Sequence, residues 1–338
     1  MADSQIKLSR EEITRIFDSF TRKKVLVIGD VMLDSYWWGN VDRISPEAPV
    51  PIVHTQKKEY RLGGAANVAL NLKKLGAEPV ICSVIGKDAD GEIFISLLKD
   101  EGISPDGIII SGKRPTTVKT RVISGKNQLL RIDTEENGEM DGKDKASLLS
   151  GASKLLEDAD LVIFEDYDKG AISPELIEAI VTKANQQKIP VAVDPKKRNF
   201  LAYQNVTLFK PNLRELSDGL KLDLKPNPGI EEISTAASQL REKLHVQEVL
   251  ITLSERGVFL CDREGSNHLI PAHIRDIYDV SGAGDTVISV AALALLANVS
   301  GDVVAALANL AGGLVCEKVG VVPIDKEELM REAKVSFQ

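Results

Sequence analysis

Short apolar runs that alternate with helix-like segments constrain the fold of this chain more than any other feature. Continuous apolar runs are typical of parallel strands that are covered on both faces. The runs span residues 24–33, 79–85, 159–164, 189–194, 206–209 and 249–253. Helical patterns span 67–75, 91–99, 143–156, 176–187 and 230–244. The alternation predicts an α/β fold with a mainly parallel sheet between two layers of helices.

Two stretches break this alternation. Residues 35–56 are rich in aromatic, proline and β-branched residues, and 116–133 alternate like short antiparallel strands around a turn at 124–127. We expect these segments, about 35–60 and 113–134, to pair as a small sheet beside the main one. Such a sheet would act as a lid over a cleft or as an oligomer contact.

Composition excludes several classes of function. With 338 residues, 43% of them hydrophobic, the chain fits two domains or one large α/β unit with an insertion. A net charge of −8 without basic runs argues against nucleic acid or an anionic membrane as a partner. Three scattered cysteines indicate neither disulfides nor a zinc site. No apolar run reaches the roughly 18 residues of a membrane span, and the start is not a signal peptide, so we expect a cytoplasmic protein.

The strongest local motif is Asp-Val-Ser-Gly-Ala-Gly-Asp-Thr at 279–286, which runs into an apolar helical segment. Gly282 and Gly284 allow backbone conformations and close approaches that other residues disfavour, and the amides at the start of a helix attract phosphate. Asp285 would be repelled by that phosphate unless it removed a proton from an attacking hydroxyl. Ordinary helix capping by Asp285 or Thr286 is the alternative.

Polar residues follow almost every apolar run, at the strand ends where parallel sheets bind ligands. Asp34 follows the first run, and Gly63-Gly64 with Asn67 opens a helix. The later runs are followed by the polar segments 166–170, 194–198, 210–215 and 254–257. So many polar ends on one edge predict a binding site. Asn212 and Glu215 also have the spacing of a helix capping box, and both roles are compatible.

Three motifs carry a resemblance to a known family. Gly63-Gly64 with Asn67, then Asn212-x-x-Glu215, then residues 279–285 occur in the order and spacing of the ribokinase-like (pfkB) carbohydrate kinases. The likeness covers about residues 24–323. It implies a three-layer α/β sandwich with a mainly parallel central sheet and a small β-sheet lid. It also implies one kinase domain, 1–338, that uses ATP and Mg²⁺ and forms a homodimer through the lid.

Within that family, the segments 29–39, 44–51, 119–122, 130–133 and 252–257 resemble kinases that phosphorylate D-glycero-D-manno-heptose 7-phosphate at O1. That likeness implies a place in ADP-heptose and lipopolysaccharide core synthesis. Bifunctional members carry a C-terminal nucleotidyltransferase domain, and we expect none in residues 1–338. Other pfkB-type kinases acting on a sugar or nucleoside, and a non-catalytic sugar-binding regulator, stay as alternatives.

The resemblance assigns roles to individual residues. Asp285 would be the general base, and the amides of Gly282, Ala283, Gly284 and Asp285 would stabilise the transferred group. Asn212 and Glu215 would order Mg²⁺ through water. The nucleotide would contact Ser254, Gly257 and Asn309. The substrate would contact Asp34, Gly63, Gly64, Asn67, Arg121, Lys169, Asp194 and Lys196. Cations that suit a substrate phosphate are Lys119, Arg121, Arg131, Lys169, Lys196 and Arg198, of which we favour Lys169 and Arg121.

Overall fold

Nine strands form the main sheet among the residues that the computed structural model describes, which are 6–125, 127–273 and 276–337. Four more strands form a second sheet, and the thirteen strands of these residues are β1 (Lys24–Gly29), β2 (Val31–Ile44), β3 (Pro51–Gly64), β4 (Glu78–Gly86), β5 (Ile108–Ser111), β6 (Val118–Ser124), β7 (Asn127–Thr134), β8 (Leu161–Glu165), β9 (Val191–Asp194), β10 (Leu208–Phe209), β11 (Glu248–Thr252), β12 (Val258–Cys261) and β13 (Asn267–Ile270). The main sheet has the order β13-β12-β11-β10-β9-β8-β1-β4-β5. Its pairings are parallel except for β11 with β12 and β12 with β13, which are antiparallel.

Helices cover both faces of the main sheet. They are α1 (Arg10–Ser19), α2 (Ala65–Lys74), α3 (Ala89–Asp100), α4 (Gly142–Leu155), α5 (Pro174–Gln186), α6 (Leu213–Leu220), α7 (Ile230–Leu244), α8 (Ala283–Leu296), α9 (Gly301–Cys316) and α10 (Lys326–Ser336). In β1, Val25 and Val27 join one apolar cluster, whereas Leu26 and Ile28 join another. Because successive side chains of a strand point to opposite faces, the core is divided into two layers by the sheet. The predicted three-layer fold is confirmed.

Local sequence signals place several helix starts. Ser9 accepts from the amide of Glu12 at 3.1 Å, and the Glu12 carboxylate accepts from the amide of Ser9 at 2.8 Å, which together form a capping box at the start of α1. Helix α5 begins at Pro174 after the capping residue Ser173. Helix α6 begins at Leu213 after the capping residue Asn212 and ends at Leu220.

The first apolar run was predicted as one strand, and the structure divides it. Strand β1 ends at Gly29, and β2 leaves the main sheet at Val31 to form a second sheet. A Cβ on Gly29 would lie 2.0 Å from the carbonyl oxygen of Glu165, so no larger residue fits there. The predicted strand at 206–209 is also shorter, because only Leu208–Phe209 is paired.

The second sheet, called the small sheet below, has the order β3-β2-β6-β7. Strand β2 pairs antiparallel with β3 and parallel with β6, and β6 pairs antiparallel with β7. Lys126, in the turn predicted between β6 and β7, lies outside the described residues. Trp37 contacts Lys58, whose Nζ lies 4.1 Å from the ring centre, whereas Trp38 stacks on Tyr36. The two tryptophans therefore use opposite faces of β2.

Among the residues described, no helix combines the length and the apolar character needed to cross a lipid bilayer.

Candidate active site

The turn before α8 has the geometry of an anion-binding site. Gly282 is the residue before the helix and has a left-handed backbone with φ of 80°. A Cβ there would lie 2.8 Å from the side-chain nitrogen of Asn67. Within the described residues, nothing accepts a hydrogen bond from the amides of Gly284 and Asp285. The amides and the positive end of the helix dipole are therefore available to an anion.

Asp285 lies in the first turn of α8 and is 3% exposed. Its Oδ2 accepts from Asn67 Nδ2 at 2.7 Å, and its Oδ1 accepts from the Tyr167 hydroxyl at 2.8 Å. Burial raises the pKa of Asp285, the two hydrogen bonds oppose that rise, and the Asp194 carboxylate adds to it. A carboxylate with a raised pKa and a fixed orientation is suited to accept a proton.

Asn71 fixes the position of Asn67 from one turn further along α2. The Asn71 side chain donates to the carbonyl of Asn67 at 2.8 Å. Its Oδ1 accepts from Thr286 Oγ1 at 3.1 Å and from the amide of Ile324 at 2.9 Å. Helices α2 and α8 are thereby joined by buried polar contacts directly below Asp285.

The loop after β8 is held by Asp30, which is 3% exposed. Its carboxylate accepts from the amides of Tyr167 at 2.8 Å, Lys169 at 3.0 Å and Ala171 at 2.9 Å. Burial raises the pKa of Asp30, and these three hydrogen bonds partly offset the rise. Asp30 therefore positions the hydroxyl of Tyr167 against the carboxylate of the candidate base.

On the side of the small sheet, Asp34 forms a buried ion pair with Arg121. A Cβ on Gly63 would lie 2.2 Å from Asp34 Oδ2, so glycine lets β3 pass this carboxylate closely. Gly64 precedes α2 with φ of 59°, and its Cβ would lie 2.4 Å from the carbonyl oxygen of Asp30. The two predicted glycines and Asp34 thus lie together.

Lys169 and Lys196, like Arg121, have acidic partners. Lys169 Nζ donates to Glu135 Oε1 at 2.7 Å and to Asn137 Oδ1 at 2.9 Å. Lys196 Nζ donates to Glu215 Oε1 at 2.6 Å. Neither partner had been identified from the sequence. An incoming phosphate would have to share or replace these contacts.

Lys119 differs from these cations. Its Nζ lies 5.3 Å from the centre of the Tyr167 ring, and among the described residues it forms no ion pair. Burial lowers the pKa of Lys119. Arg131 pairs instead with Asp133, and Arg198 donates to the carbonyl of Asn137 at 2.7 Å. Of the six cations, Lys119 is thus the freest to meet a substrate anion.

The predicted nucleotide residues divide into two groups. Asn212 and Ser254 line a cavity of about 430 Å³ beside the strand ends. Gly257 is not on that lining: its φ is 86°, and a Cβ there would lie 2.1 Å from the carbonyl oxygen of Ile270. Asn309 donates to a backbone carbonyl at 2.8 Å. The structure therefore gives Gly257 and Asn309 structural contacts, and of the three predicted nucleotide contacts it brings only Ser254 to the cavity.

The predicted capping box at α6 is present. Asn212 Oδ1 accepts from the amide of Glu215 at 2.8 Å, and Glu215 Oε2 accepts from the amide of Asn212 at 2.9 Å. Glu215 Oε1 accepts from Lys196. Both carboxylate oxygens of Glu215 already accept hydrogen bonds from the protein, and each keeps a lone pair for one more. These residues therefore fit Mg²⁺ that is held through its bound waters.

A carboxylate cluster under the turn was not predicted as a unit. Glu165 and Asp194 end the adjacent strands β8 and β9 in register, and with Asp285 they place carboxylate oxygens within 4.8 Å of one another. Lys210 Nζ lies 2.7 Å from Asp194 Oδ2. Burial, and next the Asp194 carboxylate, raise the pKa of Glu165 well above its usual range. In the sequence, this cluster was signalled by a charged residue at the end of an apolar run, which occurs at residue 165 and again at residue 210.

Comparisons with known proteins agree with this geometry. The profile of the pfkB family carbohydrate kinases matches residues 22–327. This chain belongs to that family. The bifunctional protein HldE of Magnetococcus marinus is 42% identical over 314 residues, which cover 92% of this chain and 64% of that protein. HldE of Helicobacter pylori (strain 26695) is 39% identical over 307 residues, covering 91% of this chain and 66% of that protein. The chain thus spans slightly less than two thirds of these relatives.

Solved structures of the same fold include two kinases. Phosphofructokinase-2 from Escherichia coli has a TM-score of 0.77 at 20% identity, covering 94% of this chain and 100% of that chain. The ribokinase of Arabidopsis thaliana, solved with ribose and ATP, has a TM-score of 0.71 at 19% identity, covering 92% of this chain and 99% of that chain. At this level of identity they establish the ribokinase-like fold.

Proposed function

We propose that the protein transfers the γ-phosphoryl group of ATP to a sugar phosphate, and that the substrate is D-glycero-D-manno-heptose 7-phosphate, phosphorylated at O1. The observation that carries the proposal is the buried Asp285 carboxylate, held by Asn67 and Tyr167 beneath the free amides of the turn before α8. Membership of the pfkB family and the similarity to HldE support it. The product would be the 1,7-bisphosphate for ADP-heptose and lipopolysaccharide core synthesis.

The proposed reaction needs one base and one electrophile. The O1 hydroxyl gives its proton to Asp285 while its oxygen forms a bond to the γ-phosphorus. The bond between that phosphorus and the bridging oxygen breaks, and ADP leaves with the electron pair. The amides of Gly282, Gly284 and Asp285 stabilise the charge on the transferred group. The amide of Ala283, which was also predicted for this role, donates instead to the carbonyl of Val280 at 3.2 Å. Tyr167 and Asn67 orient the carboxylate, and both hydrogen bonds favour its ionised form.

Asn212 and Glu215 would hold Mg²⁺ through water beside the cavity of about 430 Å³. When bound with ATP, Mg²⁺ supplies positive charge that neutralises the phosphate oxygens. Lys196, paired with Glu215, adds a cation at the same edge. Ser254 lines this cavity and would contact the nucleotide. Gly257 and Asn309 would act on the nucleotide site indirectly, through the backbone segments that they contact.

The sugar would lie between the small sheet and the strand ends of the main sheet. Asp34, beside Gly63, would accept hydrogen bonds from sugar hydroxyls. Arg121 and Lys169 would bind the 7-phosphate, since both lie near the space between the sheets, and Lys119 would reinforce them. A phosphate would share each cation with its carboxylate partner, so both stay paired. The presence of these three cations supports a phosphorylated sugar as the substrate.

We further propose that the chain is one kinase domain that acts in the cytoplasm as a homodimer through the small sheet. The apolar side chains exposed on that sheet support a protein contact there: Ile44 is 59% exposed and Leu130 is 49% exposed. Sedimentation of the wild-type protein tests the dimer, and a monomer at micromolar concentration contradicts it.

A screen for ATP-dependent ADP release tests the proposed function. The panel is heptose 7-phosphates, fructose phosphates, ribose and nucleosides. We expect kcat/KM to be highest for D-glycero-D-manno-heptose 7-phosphate and to fall in Lys169→Ala through KM for the sugar phosphate, with little change in KM for ATP. Preference for an unphosphorylated sugar or a nucleoside would contradict the assigned substrate. The absence of turnover with every acceptor would favour a non-catalytic regulator.

A further inference from the structure

Arg61 joins the small sheet to the loop at 319–321, which follows α9. It lies on β3, opposite Asp34 in the antiparallel register of β2 and β3. Its Nη1 donates to the carbonyl of Val319 at 3.2 Å and to the carbonyl of Val321 at 3.1 Å. Hydrogen bonds from a charged donor are stronger than those between neutral groups. One guanidinium group of the small sheet therefore holds both ends of this loop.

Tyr36 forms a second link between the small sheet and the same loop. Its hydroxyl accepts from the amide of Val321 at 3.2 Å, and the residue is buried. The guanidinium carbons of Arg61 and Arg121 lie 4.8 Å and 5.2 Å from the centre of the Tyr36 ring, and such groups are attracted to an aromatic face. Arg121 in turn pairs with Asp34. The proposed sugar contacts are thus connected to Arg61 through this ring.

The loop at 319–321 also contacts the turn before α8. The amide of Gly320 donates to Asp279 Oδ2 at 2.9 Å, and Asp279 Oδ1 accepts from the amide of Ser281 at 2.9 Å. A Cβ on Gly282 would lie 3.3 Å from Cγ1 of Val321. The loop therefore supports the turn by hydrogen bonds through Asp279 and by direct packing at the residue with the left-handed backbone.

Gly320 allows Arg61 to reach the loop. Its φ is 75°, and a Cβ there would lie 2.7 Å from Arg61 Nη1 and 3.2 Å from the hydroxyl oxygen of Tyr36. On the other side of the guanidinium group, Arg61 Nε donates to Glu59 Oε1 at 2.7 Å. The orientation of Arg61 is thus fixed by contacts on both sides.

We propose that Arg61 is a positioning residue for the phosphate-binding amides of the turn before α8, and that it acts through the loop at 319–321. This inference rests on the proposed phosphoryl transfer and goes beyond it, because it makes the small sheet part of the support of the turn. Amides that stabilise developing charge must be held in place before the reaction. A loss of this support should therefore lower kcat.

Steady-state kinetics of Arg61→Ala test the catalytic part of the inference. We expect kcat to fall by about 10- to 100-fold, because a small misplacement of a stabilising group is enough for such a loss. KM for the sugar phosphate should change little, since Asp34 and Arg121 keep their ion pair. Arg61→Lys should restore most of kcat, because its single Nζ can donate to both carbonyls. Wild-type kcat in Arg61→Ala, or no recovery in Arg61→Lys, would overturn the inference.

Lys57→Ala is the matched control. Lys57 lies on the same strand and also pairs with Glu59, at 2.8 Å, but its side chain is exposed. This variant removes a cation from Glu59 and leaves the contacts of Arg61 with the loop in place. It should keep the wild-type kcat. An equal loss of kcat in Lys57→Ala and Arg61→Ala would contradict the inference, because the loss would then follow from the charge of the strand.

Hydrogen exchange followed by mass spectrometry separates this inference from the proposed function, because it needs neither ATP nor an acceptor. Arg61→Ala should increase amide exchange in residues 278–286, and Lys57→Ala should not. If the wild type phosphorylated no acceptor, the proposed function would fail, whereas increased exchange would still support the link from Arg61 to the turn. Should Arg61→Ala fold poorly, Arg61→Met replaces it, since it keeps the packing and removes the donor. Unchanged exchange in residues 278–286 would overturn the inference.

Discussion

Replacing Tyr167 with Phe should move the pH dependence of phosphoryl transfer. The Tyr167 hydroxyl donates to Asp285 Oδ1 at 2.8 Å, and this hydrogen bond lowers the pKa of Asp285 while burial raises it. Phe keeps the ring and removes only the donor. The pKa of the base should therefore rise, and because the base must be ionised, activity should be lost at low pH and restored as pH rises.

The size of the shift follows from the hydrogen bond. A hydrogen bond to a charged group contributes about 1.5–3 kcal/mol, and one pKa unit corresponds to about 1.4 kcal/mol. The acid limb of the kcat/KM profile should thus move upward by about one to two pH units at most. The assay is steady-state ADP release with D-glycero-D-manno-heptose 7-phosphate over a range of buffers.

Tyr203→Phe is the matched control. Tyr203 also donates its hydroxyl at 2.8 Å to a buried carboxylate, that of Asp166, whose pKa burial raises to about 6. Its removal should lower the free energy of unfolding without moving the acid limb. An acid limb that stays in place in Tyr167→Phe, or that moves equally in both variants, would refute the assignment of Asp285 as the base.

Three further substitutions have defined outcomes. Arg121→Ala leaves the buried Asp34 carboxylate without its ion-pair partner, so the free energy of unfolding in urea should fall by about 3–5 kcal/mol and KM for the sugar phosphate should rise. Glu215→Gln should raise the Mg²⁺ concentration that gives half-maximal activity, because a charged acceptor for metal-bound water is lost. Gly282→Ala should lower kcat in a folded protein, since φ of 80° and a 2.8 Å approach to Asn67 both oppose a Cβ.

Each of these outcomes has a control or a contradicting result. Arg131→Ala removes the exposed pair with Asp133 and should change unfolding by less than about 1 kcal/mol. An Arg121→Ala variant as stable as this control would contradict the buried pair. An unchanged Mg²⁺ requirement in Glu215→Gln would exclude that residue from the metal site. Normal kcat in Gly282→Ala would show that the turn does not need a left-handed backbone conformation at this position.

Local sequence patterns predicted those features of the fold that depend on residues close together in the chain. The alternation of apolar runs and helical segments predicted the layers, and the spacing of Asn212 and Glu215 predicted a capping box at a helix start. The break between β1 and β2 was missed, because the apolar run continues past Gly29 to Leu33. The course of β2 through the small sheet depends on its pairing with β3 and β6. No local sequence pattern encodes that pairing.

The motifs predicted where the site lies but not how its groups are paired. Tyr167 and Asp285 are 118 residues apart in sequence, and Arg121 and Asp34 are 87 apart. Such contacts exist only once the sheet is assembled. Glu165 ends an apolar run in which a charged residue is unexpected, and this conflict between burial and charge was a sequence signal that Glu165 joins Asp194 and Asp285.

Phosphorus NMR of the reaction of ATP with D-glycero-D-manno-heptose 7-phosphate tests the central claim most directly. With the wild-type protein and Mg²⁺, we expect ADP and a second sugar phosphate resonance at the anomeric position, in equal amounts. Asp285→Asn should fold and bind ATP, yet form this product more slowly by orders of magnitude. A product phosphorylated elsewhere, or near-normal turnover by Asp285→Asn, would contradict the account.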